Sequence, residues 1–399
     1  MILSLTLDCQ SPNSGIIRFF EAAIQEVTVS AGYISGVIAE ASERARKFDD
    51  GIDLSRINQG ANDEIFQCGT PVLTGIDPES TYTYLLEEAR DRTAETWATY
   101  LADRKGQGLN LEVSINDGGT GLMAGIPQAF PDVEIQADTF HTIYEMGKEV
   151  SKLERKALRL IKSEAALENN LASKKPRSKN KEVLRELQPK TSEAIDLYDN
   201  IYILFIWFKE LLGFSGYGMA ETLTLAEWVL QEMDGLAVGI PCFRGEISKT
   251  RKALPSLLSF VGRLERGMEA VAKETGIPAE GFRLMYRQRS CNPGSIENSG
   301  IHCRQAQILG GRQAQAKDVF EQLLNKTKKA SSLVENLNGR IRVFIETKRV
   351  IPTRFFVLLK VYLNTRRYHR SRYRERIGKS PLELMTNCSL PDFYEALGY

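Results

Sequence analysis

An α/β core interrupted by a long all-helical segment is the fold class that the sequence predicts, on three observations. Residues 62–137 alternate short strand-like runs with helix-like ones. Residues 142–330 repeat apolar residues at helical spacing and carry almost no strand signal. A single helix over 331–349 then has one apolar and one polar face.

Composition bounds the rest. At 399 residues, with 42% hydrophobic and 26% charged residues, the chain has room for two or three ordinary globular domains. The longest apolar run, Ile201–Phe208, is far short of a bilayer span and reads as buried helix. The N-terminal residues lack a basic region and a cleavage site, so no signal peptide is read. Six cysteines, at 9, 68, 242, 291, 303 and 388, form no CxxC pair, which points to a reduced, cytoplasmic chain without structural zinc. The net charge of +1 conceals an asymmetry. Residues 340–379 hold 13 Lys/Arg against 2 acids, a local net of +11 that leaves −10 elsewhere. Such a field attracts phosphate backbones.

Taken in order, residues 16–24 and 33–47 predict two helices around a turn at 27–31, with Ser30 as N-cap. VSAGYISGVIAEASERA resembles the turn and second helix of a helix-turn-helix DNA reader, with Ser30, Tyr33 and Ser35 as contact residues; a plain packing hairpin is the alternative. Strands follow at 62–66, 71–76 and 81–86, then a helix at 93–101. Leu111, Val113 and Ile115 alternate into a fourth strand that ends at Asn116-Asp117-Gly118-Gly119, where the glycines permit a tight turn. A helix at 121–129 and a strand at 133–137 lead to Asp138-Thr139-Phe140-His141. The order βββαβαβ is that of an RNase H-like mixed sheet.

Beyond it, helical patterns cover 148–170, 195–212, 222–233, 248–275 and 313–329, with the least regular stretch at 286–307. A basic loop at 173–181 contains Lys174, Lys175 and Arg177. On the closing helix, Leu333, Val334, Leu337, Ile341, Phe344 and Ile345 share one arc, and Glu335, Asn338, Gly339, Arg342 and Arg349 the opposite one. The predicted organisation is therefore an N-terminal DNA-binding unit (1–50), the first part of the core (51–141), an all-helical insertion (142–330), the closing helix (331–350) and a basic extension (351–399).

Three acids stand out: Asp63 on the first strand, Asp117 at the tip of the fourth and Glu335 on the closing helix. In an RNase H-like sheet the first and fourth strands are neighbours. Carboxylates converging on one point repel one another unless a cation lies between them, and hard oxygen donors select Mg²⁺ or Mn²⁺. Two such ions, about 3.5–4 Å apart, serve in-line phosphoryl displacement. Asp77 is an alternative first acid, disfavoured because it precedes Pro78 in a turn setting. Asp138 is an alternative second acid, disfavoured because it lacks the Asp-Gly-Gly context of Asp117.

NDEIF, INDGGTGL, ADTFH, SLVENLNGRIR and NTRRYHRSRYRERIGKSPLEL, in that order over residues 60–385, resemble a DDE transposase of the Mutator-like and related bacterial insertion-sequence groups. The resemblance implies Asp63, Asp117 and Glu335 as the metal-binding triad, His141 as an accessory active-site residue, and two Mg²⁺ (or Mn²⁺) ions. It implies cleavage at transposon ends, 3′-OH strand transfer into target DNA, and at least a dimer on DNA in a bacterial, nucleoid-associated setting. Arg340, Arg342, Arg366, Arg367, Arg370, Arg372, Arg374 and Arg376, interleaved with Tyr368 and Tyr373, are expected to contact DNA phosphates. The rival expectations are an RNase H-like nuclease without strand transfer and an inactive, transposase-derived DNA-binding protein.

Overall fold

A computed structural model describes residues 1–24, 27–172, 179–329, 332–348 and 350–399. The chain divides into two compact units, Met1–Asp138 with Ala330–Tyr399, and Thr139–Lys329. The first unit opens with helices α1 (Ile2–Leu7), α2 (Asn13–Ala23) and α3 (Ala31–Asp50). Strands β1 (Gln59–Gln67), β2 (Thr70–Ile76) and β3 (Thr83–Glu88) follow, then α4 (Ala94–Gly106), β4 (Val113–Asn116), α5 (Thr120–Ala129) and β5 (Glu134–Ala137).

The second unit is all-helical: α6 (Thr139–Leu171), α7 (Lys179–Leu211), α8 (Met219–Leu236), α9 (Pro241–Leu257), α10 (Ser259–Thr275), α11 (Ala279–Gln288), α12 (Ile296–Leu309) and α13 (Gln313–Lys326). The chain then returns to the first unit as α14 (Ser332–Lys348), α15 (Thr353–Thr365), α16 (Pro381–Thr386) and α17 (Phe393–Ala396). No helix among the described residues is long and apolar enough to cross a membrane.

The sheet is mixed, in the order β3-β2-β1-β4-β5, with β1–β2 and β2–β3 antiparallel and β1–β4 and β4–β5 parallel. This is compatible with an RNase H-like core. A two-residue turn, Cys68 (φ 50°) and Gly69 (φ 87°), joins β1 to β2, since paired positive φ values match the strands' right-handed twist. Strand alternation sorts the apolar residues onto two faces. Ala61, Ile65, Val72, Val113 and Ile115 pack with α3, α14 and α15, whereas Leu73, Leu85 and Leu111 pack with Trp97 and Leu101 of α4 and Leu122 and Ile126 of α5.

Helix α3, expected within a separate DNA-binding unit, instead shares the sheet's core through Ile34, Ile38, Ala41 and Ala45. A buried charge cluster reinforces this. The Asp49 carboxylate of α3 accepts from Lys360 Nζ of α15 at 2.7 Å and pairs with Arg104 of α4 at 3.1 Å, and Arg104 also pairs with Glu87 of β3 at 3.1 Å.

In the second unit the helices depart from the sequence reading at three places. Helix α7 begins at Lys179, well before the expected 195, and carries Pro189 inside it. The buried residues of α7 begin only at Thr191, and its polar first half is tied to α6 by the Asn180 side-chain amide donating to Asn170 Oδ1 at 2.7 Å. The expected helix 248–275 is two helices that turn at Leu258, where Pro255 has removed a helix donor. The irregular stretch 286–307 contains the end of α11 and most of α12.

Candidate active site

The parallel register pairs Gln59 with Val113 and Ala61 with Ile115. Continued past the end of β4, it brings Asp63 level with Asp117. Both then lie on the sheet face that packs α14, which carries Glu335 in its first turn. Strand β1 runs on to Gln67 while β4 stops at Asn116, so the two aspartates sit where the parallel pairing ends and the sheet opens. Gly118 (φ 88°) makes the turn there, and the Gly119 amide donates to Asp117 Oδ1 at 3.0 Å.

The negative charges of the other acids act on Asp63. Burial pushes the Asp63 carboxyl up to about 7 from an ordinary 3.8, and the negative charges of Asp117, Glu335 and Glu64 add to the rise. The hydrogen bond from the Glu64 amide to Asp63 Oδ1, at 2.8 Å, opposes it. Asp117 and Glu335 are exposed. Asp63 is thus the inner member of the group, the other two its solvent-facing neighbours.

A polar clamp fixes Asp63. Asn338, fully buried on α14 one turn beyond Glu335, donates from Nδ2 to Asp63 Oδ2 at 2.6 Å. Thr74, paired with Asp63 across β1–β2, donates its hydroxyl toward Asn338 Oδ1 at 3.1 Å and the Asp63 carbonyl at 2.9 Å. These contacts orient the amide and tie the helix of the third acid to the strand of the first. On the opposite strand face, Glu64 pairs with Arg92 at 2.7 Å. A Cβ added at Gly119 would lie 3.5 Å from Asp117 Oδ1 and 3.9 Å from both Glu64 carboxylate oxygens, so Glu64 borders the same turn. The sequence reading missed Glu64, Thr74 and Arg92. Glu64 had one signal, its place beside Asp63 in NDEIF.

The other predicted residues scatter. Asp77 is committed to the β2–β3 turn, accepting from the amides of Glu79 and Ser80 at 3.0 and 2.9 Å. Asp138 is buried at the end of β5, its amide donating to the Asn116 carbonyl at 2.8 Å. His141 lies in the first turn of α6, in the second unit. Ser30 caps α3 by accepting from the Tyr33 amide at 3.1 Å, and Tyr33 and Ser35 are exposed on that helix. Lys174, Lys175 and Arg177, together with Arg349, fall outside the described residues.

The basic segment is not the uniformly exposed surface its composition suggests. Lys360 is fully buried, and Arg340 is buried enough to push its guanidinium down. Arg367 pairs with Glu383 at 3.0 Å, and Arg376 donates to the Glu79 carbonyl at 2.9 Å. Arg342, Arg366, Arg370, Arg372 and Arg374 are exposed.

Among the described residues, no group of three or more His, Cys, Asp or Glu side chains is close enough to hold a metal ion as it stands. The donors are nonetheless of the kind that suits a hard divalent cation: carboxylate oxygens from three elements, with the Asp63 carboxyl pushed up by burial first and by the neighbouring negative charges second. The fold and this acidic site define a mixed-sheet α/β chain whose acids gather at the sheet's opening. Residues 66–239 match the model of the ISL3-type DDE transposase family, described as Transposase, and the match supports a DDE-type insertion-sequence transposase. It does not extend to the Mutator-like subgroup. Asp117 and His141 fall within the matched residues, whereas Asp63 and Glu335 lie outside them. No curated protein matches the chain.

Proposed function

We propose that the chain is a DNA transposase whose RNase H-like core cleaves transposon ends and then joins the freed 3′-OH to target DNA. This reading is supported by the strand register that brings Asp63 level with Asp117 at the end of a parallel pair, and by the negative charges of Asp117 and Glu335, which help to push the Asp63 carboxyl up. Asp63, Asp117 and Glu335 would hold two Mg²⁺ or Mn²⁺ ions. When bound, these supply Lewis acidity toward the scissile phosphate and offset the charge of the carboxylates.

The chain's own groups account for the remainder. Asn338 and Thr74 hold the Asp63 carboxyl in one orientation, so little reorganisation is left for the reaction. The exposed arginines of the extension contribute phosphate contacts and a salt-dependent affinity. In the first reaction water displaces one DNA oxygen at phosphorus and a 3′-OH is released; in the second that hydroxyl displaces a target-strand oxygen, and the number of phosphodiester bonds is conserved. Joining two ends calls for at least a dimer on DNA, in the bacterial cytoplasm at the nucleoid.

Asp117→Asn tests the acid assignment. It should lower divalent-ion-dependent cleavage by more than about a thousandfold, a loss of roughly 4 kcal/mol in barrier reduction, while duplex binding is retained. Unchanged cleavage removes Asp117 from the site. A strand-transfer assay on pre-cleaved ends separates the rivals. Joined product supports a transposase, cleavage without joining a nuclease, and binding with neither an inactive derivative.

A further inference from the structure

In the sheet-bearing unit, the start of α2, the exposed side of α3 and the junction between α14 and α15 enclose a cavity of about 590 Å³. Its polar lining comprises Asn13, Ser14, Ser35, Thr347, Lys348 and Arg354, and no Asp or Glu is among the described residues that line it. Two cations of different kinds thus face one space without a counter-charge.

Lys348 is the informative one. It is half-buried, and burial alone pushes its ammonium down, with no carboxylate acting on it. Its Nζ donates to the Ser11 carbonyl at 2.9 Å and lies 5.8 Å from the centre of the Phe355 ring, contacts that hold the ammonium in place without neutralising it. Lys360 in the same unit shows the ordinary solution, since full burial there is met by Asp49 at 2.7 Å. A desolvated cation without a counter-charge is unfavourable, and an arriving anion removes the penalty. Arg354 on the exposed rim adds a planar donor fork suited to phosphate, and the Ser14 and Ser35 hydroxyls add neutral donors. The space far exceeds that of one phosphate ion, leaving room for flanking sugars.

We propose that this cavity receives a backbone phosphate of duplex DNA, gripped by Lys348 and Arg354 and flanked by Ser14 and Ser35. It is an anchoring site built from residues other than the acids and the exposed arginines Arg366, Arg370, Arg372 and Arg374. The inference rests on the reading of the chain as a DNA-acting enzyme, but it concerns binding and needs no catalysis.

The test measures affinity of the full chain for a labelled duplex of arbitrary sequence, in EDTA, from about 50 to about 200 mM salt. The double variant Lys348→Gln/Arg354→Gln should bind roughly tenfold more weakly and flatten the plot of log affinity against log salt by about one unit. Arg354→Gln alone, at an exposed position, should shift both in the same direction and decides the matter if the double variant does not fold. Lys348→Arg/Arg354→Lys should preserve the slope. Wild-type-like slope and affinity in Arg354→Gln and in a folded double variant overturn the site. Inorganic phosphate raising the melting temperature of the wild type but not of the variants, with duplex slopes unaltered, also overturns it in favour of a free-phosphate site. Duplex binding by the wild type with unchanged variant slopes sinks this site and leaves the transposase reading standing. A wild type that binds no duplex sinks both.

Discussion

Two aspartates in the sheet-bearing unit are withdrawn from water in opposite company. Asp49 lies between Lys360 and Arg104, while Asp63 lies among Asp117, Glu335 and Glu64. The first is neutralised within the chain and pins α3, α15 and α4 to one another. The second has neutral donors to hold it in place and negative neighbours to repel it. A carboxylate is kept in such surroundings at a cost, which the proposed divalent ions would offset. Charge compensation, not burial, is what distinguishes the two acids.

The contrast breaks most visibly at Asp49. Asp49→Ala leaves Lys360 buried without a counter-ion and should destabilise the unit by roughly 3–5 kcal/mol in denaturant unfolding. A much smaller loss would mean that Glu87 takes over the pairing through Arg104. The pH dependence of stability sharpens the comparison from the other side. The Asp63 pKa rises from 3.8 to about 7 on folding, so its contribution is present below pH 4 and disappears as pH climbs through 7. In the absence of divalent ions, melting measurements should show roughly 1–3 kcal/mol lost across that window, and Asp63→Asn should abolish the loss. Mg²⁺ or Mn²⁺ added at pH 8 should recover stability in the wild type and not in Asp63→Asn.

The smallest effect on stability is expected at Asn338. Asn338→Ala removes the donor to Asp63 and unpairs Thr74, costing about 1–2 kcal/mol and slowing cleavage roughly 10–100-fold. Asn338→Asp should slow cleavage further, because it adds a carboxylate where one already lacks compensation. Equal rates for the two variants would reduce Asn338 to a packing residue.

How far the sequence reveals this depends on whether the signal is local. The strands of the core announce themselves through alternation, and Asp117 through its strand tip and glycines, so the order βββαβαβ is readable before any coordinates. Gln59-Gly60-Ala61, the start of β1, carries no such pattern, and its strand character comes from pairing with β4. The first half of α7 is hidden by its polarity and by Pro189. Asn338 shows the limit most clearly. A helical wheel places it opposite the apolar arc, yet it is buried, because the group that receives it is 275 residues away in sequence. Lys348 and Lys360 look alike in a count of basic residues; only the fold separates the one with a carboxylate from the one without.

The route of the chain has a consequence for biosynthesis. The sheet is left behind at Asp138 and regained only after Lys329, so on the ribosome five strands wait for α14 and α15 to emerge. Until then the sheet face bearing Ala61, Ile65, Val72 and Ile115 lacks part of its cover, and Asp63 has neither Asn338 nor Glu335 beside it. A nascent or prematurely terminated chain therefore exposes an apolar sheet face that invites aggregation until translation is almost complete.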